Sequence, residues 1–174
     1  PILLDFIKLM NEKYTDMTYV FHSTREYSDL LKSLINESSL SNCEIVSDDK
    51  IKAHILQKSV FAVAKSGTVS LEISNAKIPS IILYKMGFIN FMIVKSLVKT
   101  KYANIINFAA NEEIIPELLQ SNCNSKNIFK HVSNFIEDPN KIKEQVSRVQ
   151  SILDKLKINK SSSELASLSL NKFL

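Results

Sequence analysis

Apolar and polar positions follow two alternating periods along the first half of the chain. Apolar residues recur at helical spacing over residues 2–10, which predicts a first helix that starts at or before residue 1. The run 17–22 is typical of a short strand, and residues 26–35 return to helical spacing. A second strand is predicted at 43–46, and the polar run 47–49 is predicted to cap the next helix.

Two nearly all-apolar runs, 59–64 and 79–84, have the length and composition of buried parallel strands. A helix that ends near Ala76 is predicted between them. Strands and helices therefore alternate, which predicts an α/β fold with a Rossmann-like open parallel sheet and helices on both faces.

The second half of the chain shows a different, mainly helical pattern of apolar and polar residues. Residues 86–99 predict an apolar helix dotted with lysines, and from residue 112 onward the whole pattern is predicted to be helical. A long charged helix is expected from Asp138 to about residue 158, and a last helix is expected to end at Leu174.

The composition excludes several classes of protein. The chain of 174 residues contains two glycines, Gly67 and Gly87, so neither G-x-G-x-x-G nor a Walker loop can be written. Its two cysteines are too few for a disulfide scaffold. No apolar run predicts a membrane span, and no secretory signal opens the chain.

The net charge of +4 is concentrated in one segment, because no Asp or Glu lies between Glu72 and Glu112. A solvated, lysine-rich face is the simplest interpretation. A nucleic-acid partner is not expected, since the chain has two arginines and no basic stripe interleaved with aromatic residues.

The turn after the 59–64 strand is a candidate ligand-binding site. In an open parallel sheet, ligands bind at the carboxyl ends of the strands, and the N-terminus of a following helix suits a diphosphate. Gly67 would let the backbone approach a phosphate, and the hydroxyls of Ser66 and Thr68 could donate to it. Glu72, one turn further, could accept from a ribose. In the alternative interpretation, Ser66 only caps the helix and Glu72 is a surface acid.

Six sequence blocks follow one another in a characteristic order. They are Ser66-Gly67-Thr68-Val69-Ser70-Leu71-Glu72, Ala76-Lys77-Ile78-Pro79, Tyr84-Lys85-Met86, Leu97-Val98-Lys99-Thr100-Lys101-Tyr102, the Asn107 region and Ile115-Pro116-Glu117-Leu118-Leu119-Gln120. Their order and spacing, over roughly the first three quarters of the chain, resemble the lipid-A-disaccharide synthase family.

The resemblance implies a glycosyltransferase with two Rossmann domains (GT-B), of which this chain is the C-terminal half. Such enzymes transfer 2,3-diacylglucosamine from UDP-2,3-diacylglucosamine to 2,3-diacylglucosamine 1-phosphate and release UDP, a step in making lipid A. Residues 1–137 are then expected to form the UDP-sugar-binding domain, without its first strand. Residues 138–174 are expected to form helices that pack on a missing N-terminal domain, or else in a homodimer.

The resemblance also assigns UDP and substrate contacts to seven residues: Ser66, Gly67, Thr68, Glu72, Asn107, Glu113 and Gln120. The first three are implied to contact the diphosphate and the fourth the ribose. This chain departs from the family pattern at Ile106, where a proline is usual, at Asn111-Glu112, where Gly-Arg is common, and at Lys65, where the usual residue is small and apolar.

No catalytic residue is assigned, because the family's Gly-Ser-Arg loop and its candidate general base belong upstream of this sequence. We therefore expect the chain alone to be inactive. No cofactor or metal is expected: helix N-termini and polar side chains would stabilise the leaving diphosphate. The histidines and cysteines also lack metal-ligand spacing.

The lysine-bearing helix is the second functional hypothesis. A membrane-facing surface is predicted from Lys85, Phe88, Phe91, Lys95, Lys99 and Lys101. Such a helix can lie at an anionic membrane interface, and the diacylated substrates imply a peripheral enzyme on the cytoplasmic face of the inner membrane. Alternatively, the helix packs between domains and its lysines reach out to water.

Two other functions remain open at this point. A UDP-N-acetylglucosamine epimerase-like enzyme shares the fold and a similar Ser-Gly-x turn with a downstream acid. A non-catalytic module that keeps only a nucleotide pocket is the other alternative.

Overall fold

The computed structural model describes residues 2–65, 67–87, 91–92 and 101–157. The strands are β1 (Tyr19–His22), β2 (Cys43–Val46), β3 (Ala62–Lys65), β4 (Ser80–Tyr84) and β5 (Glu117–Leu119). The α-helices of these ranges are α1 (Ile2–Lys13), α2 (Arg25–Glu37), α3 (Asp49–Lys58), α4 (Thr68–Asn75), α5 (Ile105–Ala110), α6 (Ser125–Glu137) and α7 (Pro139–Leu156). A 3-10 turn, Gln120–Asn122, follows β5.

Every paired strand runs parallel to its neighbour, in two sheets. One sheet is β1–β2, with Tyr19 opposite Cys43. The other has the order β3–β4–β5, with Ile82 opposite Glu117. Within the described ranges no ladder joins β1 to β3, so the predicted sheet is divided in two. The predicted fold class, α/β with parallel strands flanked by helices, is confirmed.

Alternate strand positions divide their side chains between two hydrophobic cores. Ile81 of β4 and Leu118 of β5 belong to the core that contains the buried faces of α1 and α6. Tyr19 of β1 packs against the same core, so this layer spans both sheets. Ile82 and Ala64 belong to the second core, together with apolar residues of α4, α5 and α7. Helices therefore cover both faces of the β3–β4–β5 sheet.

Several predicted elements have the expected bounds. β2 occupies the predicted residues 43–46, and Asp48 caps α3 by accepting from the N–H groups of Lys50 and Ile51. β3 is shorter than predicted and begins at Ala62. Of the residues predicted to begin this strand, Ser59 is the C-cap of α3 and Val60 is 69% exposed.

The prediction that everything after residue 112 is helical is wrong at β5. The segment Glu117–Leu119 pairs with β4, and Leu118 is buried in the core. Pro116 precedes the strand, and its ring disfavours a helical continuation from the residue before it. A short apolar run can satisfy either period, and here its pairing with β4 decides the outcome.

α7 is an integral part of the described structure. It begins next to Asp138, as predicted, and Asp138 caps it by accepting from the Asn140 N–H at 3.1 Å. Val149 and Leu153 of this helix are buried in the α4–α5 core. Gln145 accepts from the Ser80 N–H at 2.7 Å and donates to the Ser80 carbonyl at 3.0 Å, which ties α7 to the start of β4. The last predicted helix lies outside the described residues.

Candidate functional site

The chain turns sharply at the carboxyl end of β3. Gly67 has a φ of 148° and a ψ of −164°, a combination that is essentially restricted to glycine. α4 begins at the next residue, Thr68, and both residues are exposed. A Cβ on Gly67 would meet no atom of the described chain within 4 Å, so the space beside the turn is open there. Ser66, predicted to act with these two residues, lies outside the described residues.

The turn presents the N-terminus of α4 to this open space. Ser70 fixes the turn from the buried side, because its N–H and its hydroxyl both donate to the Gly67 carbonyl, at 3.1 and 2.6 Å. Among the described residues no side chain caps α4. Amide groups and the positive end of the helix dipole therefore face outward, which is the arrangement that binds anions.

Glu72 lies one turn along α4 and is ion-paired with Lys52 of α3. The Glu72 side chain is 47% exposed, whereas that of Lys52 is 14% exposed. The sequence reasoning missed Lys52, since its partner lies twenty positions away on another helix. The pair holds a carboxylate near the N-terminus of α4, within one helical turn of Thr68.

Gln120 joins the carboxyl ends of β4 and β5. Its side-chain oxygen accepts from the Met86 N–H at 2.9 Å, and its amide donates to the Met86 carbonyl at 3.1 Å. Gln120 itself has a positive φ of 50°. Gln120 therefore lies at the same edge of the sheet as Gly67, where it fixes the backbone that follows β4.

Lys65 adds positive charge to this edge. Its ammonium nitrogen lies 5.7 Å from the centre of the Tyr84 ring, at the end of the neighbouring strand β4. The side chain of Lys65 is exposed, and a cation–π contact of this kind contributes about 0.5–1 kcal/mol. The departure from the family pattern at residue 65 thus places a cation directly before the Gly67 turn.

Asn107 is buried and braces the loop before β5. It is 0% exposed. Its side-chain oxygen accepts from the N–H groups of Ile114 and Ile115, both at 2.9 Å. Its amide donates to the Ile115 carbonyl at 2.7 Å and to Glu117 at 2.8 Å. These bonds use the full capacity of the amide group, so a direct ligand contact would require breaking one of them.

Glu117 is a structural carboxylate that the sequence reasoning quoted only as part of a block. It accepts from the N–H groups of Ala103 and Asn104 at 2.8 and 2.9 Å, just before α5, as well as from Asn107. A negative charge at this position also complements the dipole of α5. Glu117 therefore connects the start of β5 to the start of α5.

Glu113 lies at the opposite end of the strands from Gly67, near the amino end of β4. Its carboxylate accepts from the Glu117 N–H at 2.9 Å, and the neighbouring Ile114 carbonyl accepts from Gln145 at 3.2 Å. Gln145 also bonds to Ser80, the first residue of β4. The structure thus brings Gly67, Thr68 and Gln120 to the carboxyl edge, and it places Glu113 near the amino end of β4.

The departure at 111–112 has a local explanation. Asn111 is the C-cap of α5 with a φ of 51°, a left-handed conformation that asparagine tolerates better than most residues. Glu112 is ion-paired with Arg148 of α7. Position 111, where the family commonly has glycine, therefore keeps a residue that tolerates a positive φ. The acid at position 112 pairs with an arginine from another helix.

The predicted membrane-facing surface is described only in part. Lys85 and Lys101 are exposed, and the Phe91 N–H donates to the Gly87 carbonyl at 2.9 Å. Phe88, Lys95 and Lys99 lie outside the described residues. No helix in the described part of the chain is long and apolar enough to cross a membrane.

The cysteines and the histidine of α6 lie in environments that disfavour their charged forms. Burial raises the pKa of Cys43 and Cys123, so both thiols stay protonated and are poor nucleophiles. Burial likewise lowers the pKa of His131. The described residues contain no group of three His, Cys, Asp or Glu side chains that could hold a metal ion.

Comparison with known proteins identifies the family. A family model described as lipid-A-disaccharide synthetase matches residues 1–171. This chain belongs to that family. The lipid-A-disaccharide synthase of Rickettsia prowazekii is 33% identical over 157 residues, which are 90% of this chain and 40% of the relative. That of Sulfurihydrogenibium sp. is 31% identical over 83% of this chain and 39% of its own length.

A third lipid-A-disaccharide synthase, from Gluconobacter oxydans, is 27% identical over 90% of this chain. The chain spans about two fifths of the length of these curated relatives. The resemblance carried by the six sequence blocks is therefore confirmed. The lipid-A-disaccharide synthetase match includes the whole carboxyl edge, from β3 through Gln120.

Proposed function

We propose that this chain is the UDP-sugar-binding half of a lipid A disaccharide synthase. The complete enzyme transfers 2,3-diacylglucosamine from UDP-2,3-diacylglucosamine to 2,3-diacylglucosamine 1-phosphate and releases UDP. The observation that carries the proposal is the glycine turn at the carboxyl end of β3, which exposes the N-terminus of α4 with Glu72 one turn beyond it. Family membership supplies the reaction class.

The proposed contacts are those that the family resemblance implies, and the exposed turn supports those of Gly67 and Thr68. Ser66, Gly67 and Thr68 bind the diphosphate, because amides at a helix N-terminus stabilise negative charge. Glu72 accepts from the ribose hydroxyls. The exposed ammonium group of Lys65 adds positive potential where charge develops on the leaving diphosphate.

The three other predicted contacts act through the backbone in this proposal. Gln120 fixes Met86 at the carboxyl edge, and Asn107 braces the loop before β5. Glu113, near the amino end of β4, orders the start of β5 by accepting from the Glu117 N–H. None of the three needs to touch the nucleotide for its loss to disturb the site.

The general base and the acceptor-binding surface lie in the part of the enzyme that this chain does not contain. The described region would therefore bind UDP and UDP-sugar but would not turn them over alone. Contact with an anionic membrane through the 85–101 segment also stays a prediction, as does residence on the cytoplasmic face of the inner membrane. Co-sedimentation with vesicles of anionic phospholipid tests the membrane contact, and a chain that stays in solution at low salt contradicts it.

Two alternatives use the same nucleotide site. An epimerase-like enzyme and a non-catalytic nucleotide-binding module would both bind UDP through the α4 turn. Membership of the lipid-A-disaccharide synthetase family favours the transferase over the epimerase.

Calorimetric titration of the chain with UDP, UMP and uridine tests the proposed site. We expect one UDP per chain and an affinity that falls in the order UDP, UMP, uridine. Each phosphate adds charge-assisted hydrogen bonds at the N-terminus of α4, so we expect roughly a tenfold loss for each phosphate removed. Equal affinities for UDP and uridine would contradict the assignment of the Gly67 turn to the diphosphate.

A further inference from the structure

Lys52 is held in place more firmly than a typical surface lysine. Its N–H donates to the Asp48 carbonyl at 2.9 Å in the capped first turn of α3. Leu56, one turn along the same helix, packs against the α4–α5 core. The side chain of Lys52 is 14% exposed and its ammonium group is paired with Glu72. This lysine therefore fixes α3 against α4 at the level of Glu72.

The pairing engages only part of the Glu72 carboxylate. Lys52 contacts Oε2, and a carboxylate offers about four lone-pair positions on its two oxygens. The Glu72 side chain is 47% exposed, so part of it remains accessible to solvent and to a ligand. An unpaired glutamate at this exposure would sample several rotamers, and a ligand would have to order it on binding.

We propose that Lys52 is a positioning residue that holds the Glu72 carboxylate ready to accept from the ribose hydroxyls. This inference rests on the proposed UDP site, and it adds a residue that neither the sequence blocks nor the family pattern assigns to it. Lys52 acts through Glu72 and does not itself touch the nucleotide. Its contribution should therefore exist only for ligands that carry ribose hydroxyls.

The test is calorimetric titration of the chain and its variants with UDP and with 2′,3′-dideoxy-UDP. Lys52→Met keeps most of the length of the unbranched side chain and removes its charge. We expect this variant to bind UDP about fivefold more weakly, since one ordered side chain is lost, and to bind the dideoxy ligand as the unchanged chain does, within about twofold. Lys52→Arg, which can still pair with a carboxylate, should restore most of the UDP affinity.

Lys50→Met is the matched control, because Lys50 is an exposed lysine on the same helix. It should leave both affinities unchanged. An equal loss for both ligands in Lys52→Met would show a general structural or charge effect and would overturn the proposal. Unchanged or tighter UDP binding would also overturn it, since Lys52 would then be neutral or a competitor for Glu72. Failure of the unchanged chain to bind UDP would instead refute the nucleotide site itself.

Discussion

Replacing Gly67 with valine is expected to abolish measurable UDP binding while leaving a folded chain. The φ and ψ of Gly67 lie in a region that side chains avoid, and forcing a residue into it costs on the order of 1–3 kcal/mol. The valine side chain would also enter the open space beside the turn, where we place the diphosphate. Together these effects predict a loss of roughly 100-fold or more in UDP affinity.

The change is measured by titration with UDP and by thermal unfolding. Gly67→Ala separates the two causes, because a lone Cβ meets no protein atom and tests backbone strain with little added bulk. Gly87→Ala is the control, since a Cβ there also meets no atom of the described residues within 4 Å and no positive φ is required. If Gly67→Val binds UDP within about threefold of the unchanged chain, the diphosphate does not lie at this turn.

Replacing Asn107 with leucine is expected to give the largest loss of stability of any single change proposed for this chain. The two side chains have the same number of heavy atoms and the same branching, but leucine leaves the N–H groups of Ile114 and Ile115 and the Ile115 carbonyl without their partner. Each buried polar group left unsatisfied costs about 1–3 kcal/mol. We therefore expect the free energy of unfolding to fall by roughly 3–5 kcal/mol, which is a large share of the stability of a typical domain.

Urea denaturation followed by circular dichroism measures this change. Asn111→Gly is the matched control: Asn111 is an exposed asparagine with a φ of 51°, a conformation that glycine adopts readily. Its free energy of unfolding should stay within about 0.5 kcal/mol of the unchanged chain. A loss below about 1 kcal/mol in Asn107→Leu would mean that the brace contributes little to folding and that Asn107 has another role.

The elements that local patterns specify were predictable from the sequence. β2 and the Asp48 cap depend on short-range periodicity and on a side chain that reaches its own helix, so neighbouring residues determine both. The geometry of the candidate site was predictable to the same degree at the Gly67 turn, because a buried strand, a glycine and a helix start follow one another along the chain.

The rest depends on contacts between distant residues. The pairs Lys52–Glu72 and Arg148–Glu112 join separate helices, and no spacing rule connects their members. β5 was missed because its three residues acquire their conformation from pairing with β4. The structural role of Glu117 could not be predicted for a related reason: the backbone amides that donate to it lie more than ten residues upstream.

The expectation that the domain lacks its first strand stays a prediction, and the two-sheet arrangement makes it specific. β1 and β3 each have an edge without a described partner, and both strands pack against the core of α1 and α6. By the right-handed crossover rule, a strand preceding α1 would lie beside β1 on the side away from β2. Slower amide hydrogen exchange in β1 and β3 after upstream extension with a relative's sequence would test this expectation, and unchanged exchange would contradict it.

The most direct test of the central claim is formation of the disaccharide by a reconstituted enzyme. The chain is joined to the remaining part of the Rickettsia prowazekii relative and given UDP-2,3-diacylglucosamine and 2,3-diacylglucosamine 1-phosphate. We predict that the joined protein forms the disaccharide phosphate and UDP, that the same protein carrying Gly67→Val does not, and that the chain alone is inactive. A folded joined protein that binds UDP and both lipids but makes no disaccharide would contradict the proposed function, and turnover by the chain alone would contradict its assignment as one half of the enzyme.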